Sequence, residues 1–313
     1  MMQIEGHHHI SMVTKNARVN HDFYKKVLGL RRVKKTVNQD DPRMYHLFYG
    51  DLTGSPGTEL SFFEIPNAGK THRGTNAITR IGLFVPTFES LIYWKNRFEN
   101  LQIQHEDISS YAGRDALQFE DSDGLRLVLL NLNGADVPNH WQRWTDSHIP
   151  LEHQILGMGT VEMTVANSKQ LSDTLETVFG YSLAEELKEG MLYQSVKGNV
   201  FGEILVVQLD GPKEKRGKGS VHHLAIRVKD GDELRLWKER IVNAGFKVMK
   251  ITDRYYFESL YFREKNGILF ELATDGPGFT VDSSIEELGT VLDLPPFLEN
   301  RREEIEAYLE PID

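Results

Sequence analysis

No cysteine occurs in the 313 residues. That absence excludes a disulfide framework, a thiolate zinc site, an iron–sulfur cluster and a cysteine nucleophile together. Any metal the chain holds must therefore sit on nitrogen and oxygen ligands. Long apolar runs are missing too: no stretch approaches the ~20 apolar residues that span a bilayer. The opening MMQIEGHHHISMV lacks the basic segment and apolar core of a secretory signal. These two absences lead to the expectation of a soluble, cytoplasmic protein. Positive charge is the third scarcity. The 36 Lys and Arg face 46 Asp and Glu, a net charge of −10, with no basic cluster. Nucleic acid and anionic membranes call for the opposite sign. Small molecules are the expected partners, with no nucleic acid and no membrane, and the sequence is compatible with a homo-oligomer.

What the chain does have is an internal repeat. Four segments follow one order: an apolar strand, an amphipathic helix, then three strands of which the last is apolar. The opening strands are HHHISMVT (7–14), TRIGLFV (79–85), GTVEMTV (159–165) and VHHLAIRV (221–228). Each precedes a stretch with apolar residues at i, i+3, i+4 spacing, the mark of a helix that buries one face. Gly29, Gly180 and Gly245 stand where such helices stop in a left-handed residue. The closing strands are TELSFFEI, LRLVLLNL, EILVVQL and ILFELAT, each preceded by a polar turn.

One helix per three or four strands cannot cover both faces of its sheet, so modules should pair into cupped sheets with a shielded concave face. The fold class expected is α+β: four βαβββ modules paired into two half-barrels. Taken in chain order, the domains are 1–134 (modules one and two), a crossover 135–156, 157–280 (modules three and four) and a tail 281–313. The tail reads as a short helix, a Pro-Pro turn and a final helix. A cupped sheet is a natural small-molecule site.

Aligning the modules points to a metal. The residue opening the alternating apolar run is His9, Arg80, Thr160 and His223 in turn, and the residue after each closing run is Glu64, Asn131, Gln208 and Glu271. Modules one and four thus carry His and Glu where modules two and three do not. Residues two apart on a strand share a face, so His9 and His223 can both point into a cup. A Glu inside the apolar run LFEL is costly to bury without a partner. Two His and one carboxylate on one face of a metal is the donor set of non-haem Fe(II) oxygen chemistry. The sequence therefore predicts a metal on His9, His223 and Glu271. Glu64 is a further candidate ligand, although Pro66 suggests that its strand is ending.

The stretches GHHHISMVTKNARVNHDFYKKVLGLRRVKKTVNQDDPRMYHLFYGDLTGSPGT, GSVHHLAIRV, ITDRYYFESLYFRE and GILFELATDGPGF, with the tail LGTVLDLPPFLE, carry a resemblance over nearly the whole chain. It resembles the vicinal-oxygen-chelate superfamily of glyoxalase I, bleomycin-resistance proteins and extradiol dioxygenases, and within it the para-hydroquinone ring-cleaving dioxygenases. The resemblance implies Fe(II) on His9, His223 and Glu271, insertion of O2 into a small aromatic diol such as methylhydroquinone, and a role in removing hydroquinones and quinones. It also implies pocket or neighbouring roles for His8, His222, Ser11, Arg254 and Tyr261. Proton transfer is assigned jointly to His222, His8 and Tyr261. Arg254 is expected to place a fixed charge near a substrate phenolate, with Ser11, Arg254 and Tyr261 lining the substrate. Glu64 departs from the family pattern.

Mn(II) is the second candidate metal, and the first-row affinity order predicts Zn(II) or Ni(II) in protein as purified. Three other activities fit parts of the sequence. A glyoxalase I-like isomerase would use Glu64 as a fourth ligand. A catechol extradiol dioxygenase would want a histidine at Thr160. A non-catalytic small-molecule binding protein would need no metal.

Overall fold

A computed structural model describes residues 2–313, and the four modules appear in the expected order. Module one comprises β1 (His7–Thr14), α1 (Ala17–His21) widening into a π-helical segment (Asp22–Val27), β2 (Arg31–Asn38), β3 (Asp41–Gly50) and β4 (Glu59–Glu64). Module two comprises β5 (Ala77–Val85), α2 (Phe88–Asn100), β6 (Ser109–Tyr111), β7 (Arg114–Glu120) and β8 (Arg126–Asn131). Module three comprises β9 (Gly157–Val165), α3 (Ser168–Thr174) with its own π segment (Leu175–Phe179), β10 (Ser182–Glu186), β11 (Met191–Gln194) and β12 (Ile204–Gln208). Module four comprises β13 (Val221–Val228), α4 (Gly231–Asn243), β14 (Thr252–Asp253), β15 (Phe257–Arg263) and β16 (Leu269–Pro277).

Each module helix starts where a side chain can satisfy its free N–H groups. Asn16, Thr87, Asn167 and Asp230 accept from the backbone at the first turn of α1, α2, α3 and α4. Gly29, Gly180 and Gly245 take the expected left-handed φ of 69°, 79° and 89°. The helices bury one stripe against the convex side of the sheets: Leu91, Trp94 and Phe98 on α2, Leu234, Trp237 and Ile241 on α4. Such burial contributes roughly 1.5–3 kcal/mol per large apolar side chain. It leaves the concave sides free for chemistry.

The strands form two eight-stranded sheets, ordered β14-β15-β16-β13-β1-β4-β3-β2 and β10-β11-β12-β9-β5-β8-β7-β6. The half-barrels are as expected, but they are not built from consecutive modules. Module one shares its sheet with module four, and module two with module three, so the division into 1–134 and 157–280 does not follow the sheets. A physical reason lies in the predicted metal ligands. His9 and His223 can approach one metal only if β1 and β13 are neighbours, a few ångströms apart; sequential pairing would put them in different sheets. The links that carry the chain between sheets, residues 65–76 and 209–220, run side by side through the pairs His72–Lys215 and Thr75–Lys213.

The crossover 135–156 is packed rather than free. The Trp141 indole sits on Gly57 and Gly157, where an added Cβ would stand only 2.8 and 2.5 Å from its ring. The tail lacks the expected first helix: residues 285–290 are a run of turns, and only α5 (Arg302–Glu306) is α-helical there. It straps the edge strand β2 instead. Lys34, with no exposed surface, pairs with Asp282 at 2.7 Å and Asp293 at 2.8 Å, and Arg32 pairs with Asp313 at 2.9 Å. Covering that edge removes a template for unwanted strand pairing.

Candidate metal centre

β1 and β13 lie antiparallel with Ser11 opposite His223. β16 flanks β13 in parallel, with Glu271 opposite Ala225. These registers bring the three predicted ligands together. His223 Nε2 lies 2.7 Å from Glu271 Oε2, His9 Nε2 lies 3.2 Å from the same oxygen, and the two Nε2 atoms are 3.3 Å apart. All three side chains are buried. Metal–ligand bonds of about 2.1 Å at right angles require donor separations of about 3 Å, so this triangle fits one face of a coordination sphere.

The hydrogen bonds around the triangle decide which atoms carry protons. His8 Nε2 lies 3.1 Å from the Thr274 carbonyl, which only accepts, so His8 holds its proton there. Burial, reinforced by His9, pulls His8 down to about 3 and leaves it neutral. Its Nδ1 is then an acceptor, 3.1 Å from His9 Nδ1, which must donate. His9 Nε2 is left bare. On β13, His222 is likewise brought down to about 3 by burial, and its Nδ1 stands 2.8 Å from His223 Nδ1. His223 Nε2 in turn faces Glu271 Oε2. Although burial opposes it, the facing His9 and His223 hold the Glu271 carboxyl well below the carboxylate range. Ser259 donates to its other oxygen, Oε1. Two imidazole nitrogens and one carboxylate oxygen thus converge in a buried triangle with sides of 2.7, 3.2 and 3.3 Å, an arrangement a cation would complete.

Beside the triangle opens a pocket of about 50 Å³. Phe48, Phe63, Phe257 and Tyr256 supply apolar walls, and Ser11, Arg254 and Tyr261 also line it. Burial, followed by the nearby Glu271 carboxylate, pushes the Tyr261 phenol far up, so it remains a proton donor at neutral pH. His8 and His222 are not in the lining. Each turns its ring to the far side of a ligand histidine, at interplanar angles of 87° and 77°. The joint proton-transfer role read from the sequence therefore has only Tyr261 of its three members facing the pocket. Arg254 is not free either, because Asp40 holds its guanidinium through contacts of 3.1 and 3.0 Å.

Glu64 stands elsewhere. Glu271 lies opposite the residue two after His223; the same position of module one, Ser11, lies opposite Ser61. Modules two and three place Val128 and Leu205 there. Glu64 is three residues further along, opposite Thr14, and its carboxylate accepts from the Ala17 backbone at 2.8 Å. The apolar runs preceding the two glutamates differ in length, which hid the offset. His8, His9 and Glu59 form a second close group, but burial, reinforced by Asp51, pushes Glu59 well up, and as a neutral acid it is a poor ligand.

Sequence reasoning missed Ser61, His46 and Ser259. Ser61 bonds Ser11 at 2.6 Å, and His46 Nε2 lies 3.2 Å from Ser61. Burial, followed by His9 and His223, pulls His46 well down. Ser259 had one signal, a small polar residue two before Tyr261 on the same strand.

The fold and this site define a protein of paired βαβββ half-barrels with a two-histidine, one-carboxylate centre. The chain belongs to the Glyoxalase/Bleomycin resistance protein/Dioxygenase superfamily, whose profile matches residues 6–129 and 153–272. It is 50% identical over 320 residues to "Putative ring-cleaving dioxygenase MhqA" of Bacillus subtilis (strain 168), covering 99% of this chain and 100% of that protein. It is 29% identical over 314 residues to chlorohydroquinone/hydroquinone 1,2-dioxygenase of Sphingobium indicum, covering 97% and 95%. The crystal structure of a putative dioxygenase from Bacillus subtilis superposes with a TM-score of 0.93 at 32% identity, covering 100% of this chain and 99% of that one. Glyoxalase I from Zea mays shares the fold at a TM-score of 0.63, with 12% identity over 86% and 92%.

Proposed function

We propose that this chain is an Fe(II)-dependent ring-cleaving dioxygenase that inserts O2 into small para-hydroquinones such as methylhydroquinone. The observation that carries the reading is the buried convergence of His9 Nε2, His223 Nε2 and Glu271 Oε2, separated by 2.7, 3.2 and 3.3 Å. Bound Fe(II) would leave positions open for O2 and one diol oxygen, holding both reactants side by side. Mn(II) is the alternative metal. The relatives named as ring-cleaving and hydroquinone dioxygenases support the reaction type.

The protein's own groups fit supporting roles. Aromatic walls receive a planar ring and limit the water around it. Tyr261, kept protonated beside Glu271, is the group positioned to give a proton to a developing oxyanion. His8 and His222 fix the tautomers of His9 and His223 and so are positioning residues. Ser11 and Ser61, joined at 2.6 Å, offer hydroxyl contacts to the substrate. The physiological reading is removal of hydroquinones, and with them quinone stress, in the cytoplasm. The isomerase alternative loses support because Glu64 is engaged at the start of α1, not at the centre.

Oxygen uptake tests this. Protein reconstituted anaerobically with Fe(II) should consume O2 stoichiometrically with 2-methylhydroquinone, less with catechol and none without substrate, and Glu271→Ala should abolish uptake. Absence of uptake with any diphenol, from protein shown to hold one Fe(II), overturns the reading.

A further inference from the structure

Among the described side chains lining the pocket, only Asp40 and Arg254 carry a full charge outside the metal-ligand set, and they are bound to each other. Arg254 Nη1 and Nη2 reach the two Asp40 oxygens at 3.1 and 3.0 Å, the two-point geometry that suits guanidinium and carboxylate. The partners come from opposite ends of the chain. Asp40 lies in the turn between β2 and β3, where its backbone N–H bonds the Asn38 side chain at 3.0 Å. Arg254 lies in the turn between β14 and β15, braced by its N–H to the Phe257 carbonyl at 2.9 Å. A second contact ties the same two turns: Gln39 Nε2 donates to the Arg254 carbonyl at 2.7 Å. The two turns therefore meet across the pocket mouth.

Exposure places this pair at the entrance. The Asp40 side chain is 74% exposed and that of Arg254 23%, so an incoming ring passes the carboxylate before it meets the guanidinium. An unpaired arginine there would attract a ring bearing a carboxylate, because guanidinium binds carboxylates at two points. Paired, it has no free face for such a substituent, and Asp40 adds a negative charge on the approach. A neutral diol suffers neither effect.

Resting on the dioxygenase reading above, we propose that Asp40 is a specificity-determining residue: by occupying Arg254 it restricts the pocket to uncharged hydroquinones and rejects rings that carry a carboxylate. Arg254 then serves as one half of a charge filter at the mouth, not as a free cation for the substrate.

The test is binding without turnover. Calorimetry under anaerobic conditions on the metal-loaded full chain compares 2-methylhydroquinone with 2,5-dihydroxybenzoate, which adds only a carboxylate to the diol ring class. The wild-type protein should bind the uncharged diol at least tenfold more tightly. In Asp40→Asn, the ratio of the two dissociation constants should shift at least tenfold toward the carboxylated ring. In Asp41→Asn, which removes the neighbouring surface partner of Arg43, the ratio should not move. A ratio unmoved in Asp40→Asn, or a wild-type preference for the carboxylated ring, overturns the inference while leaving the dioxygenase reading intact. Failure of the uncharged diol to bind overturns both.

Discussion

The two half-barrels grow from the same module, yet they solve the problem of buried carboxylates in opposite ways. In the sheet of modules two and three, Glu203 is saturated: Arg114 meets it at 3.0 and 3.1 Å, Thr160 at 2.8 Å and Gln194 at 2.9 Å. Glu162 receives Tyr111 at 2.6 Å, Thr79, and the Arg80 guanidinium at 3.8 Å. In the sheet of modules one and four, Glu271 meets two imidazole nitrogens and a single hydroxyl donor. One cup neutralises itself with protein cations; the other leaves its carboxylate with no Lys or Arg bonded to it. Arg80 and Thr160 occupy the positions of His9 and His223, so the difference rests on very few residues on a shared scaffold.

The largest expected effect breaks the open cup. Glu271→Ala should cut metal content per chain to below a tenth and remove activity, while the folded state persists because no charge is left stranded. A variant retaining full metal would refute the centre. Arg114→Leu should do the reverse: it strands Glu203 in a dry cup and costs about 3–5 kcal/mol in urea unfolding, with metal content unchanged. The double variant Arg114→Leu/Glu203→Leu should recover most of that loss, and if it does not, Glu203 is not the group being rescued.

Next in size, His8→Ala or His222→Ala should weaken metal binding about 10–100-fold by removing the acceptor that fixes a ligand tautomer. Equal affinity in a competition titration would show that the tautomers are held in another way. Ser259→Ala should cost about tenfold or less, since it releases one charge-assisted hydrogen bond. Finally, chelation should accelerate amide exchange in β1, β13 and β16 and leave β5 and β9 unchanged; equal acceleration in both sheets would mean that the metal stabilises the whole chain. Tyr261→Phe should leave metal affinity alone and lower turnover, a split that separates proton donation from ligation.

Much of this was legible in the sequence, for identifiable reasons. The opening strands have a strict apolar rhythm and the helices a clear stripe, so four modules and two cups could be read directly. His9, His223 and Glu271 stood out because His and Glu are rare in such strands. Three things were not legible. Module pairing was hidden because every opening strand has similar pairing potential, although the ligand set itself demanded that β1 and β13 be neighbours. The three-residue offset of Glu64 was hidden because register is a property of the ladder, not of the apolar run. The Asp40–Arg254 pair was hidden because it joins turns 214 residues apart, with no local pattern to announce it.

The order of the modules along the chain also has a consequence during synthesis. Ribosomes extend a chain by about 5–20 residues each second, so the sheet of modules two and three has all its strands before β13 emerges. Throughout that interval β1 is paired with β4 on one side only, and its other edge has no native neighbour. An unpaired edge is the kind of surface that recruits foreign strands. His9 on β1 thus waits for a partner 214 residues further on, and the nascent chain is exposed to misassembly until His223 and Glu271 join it.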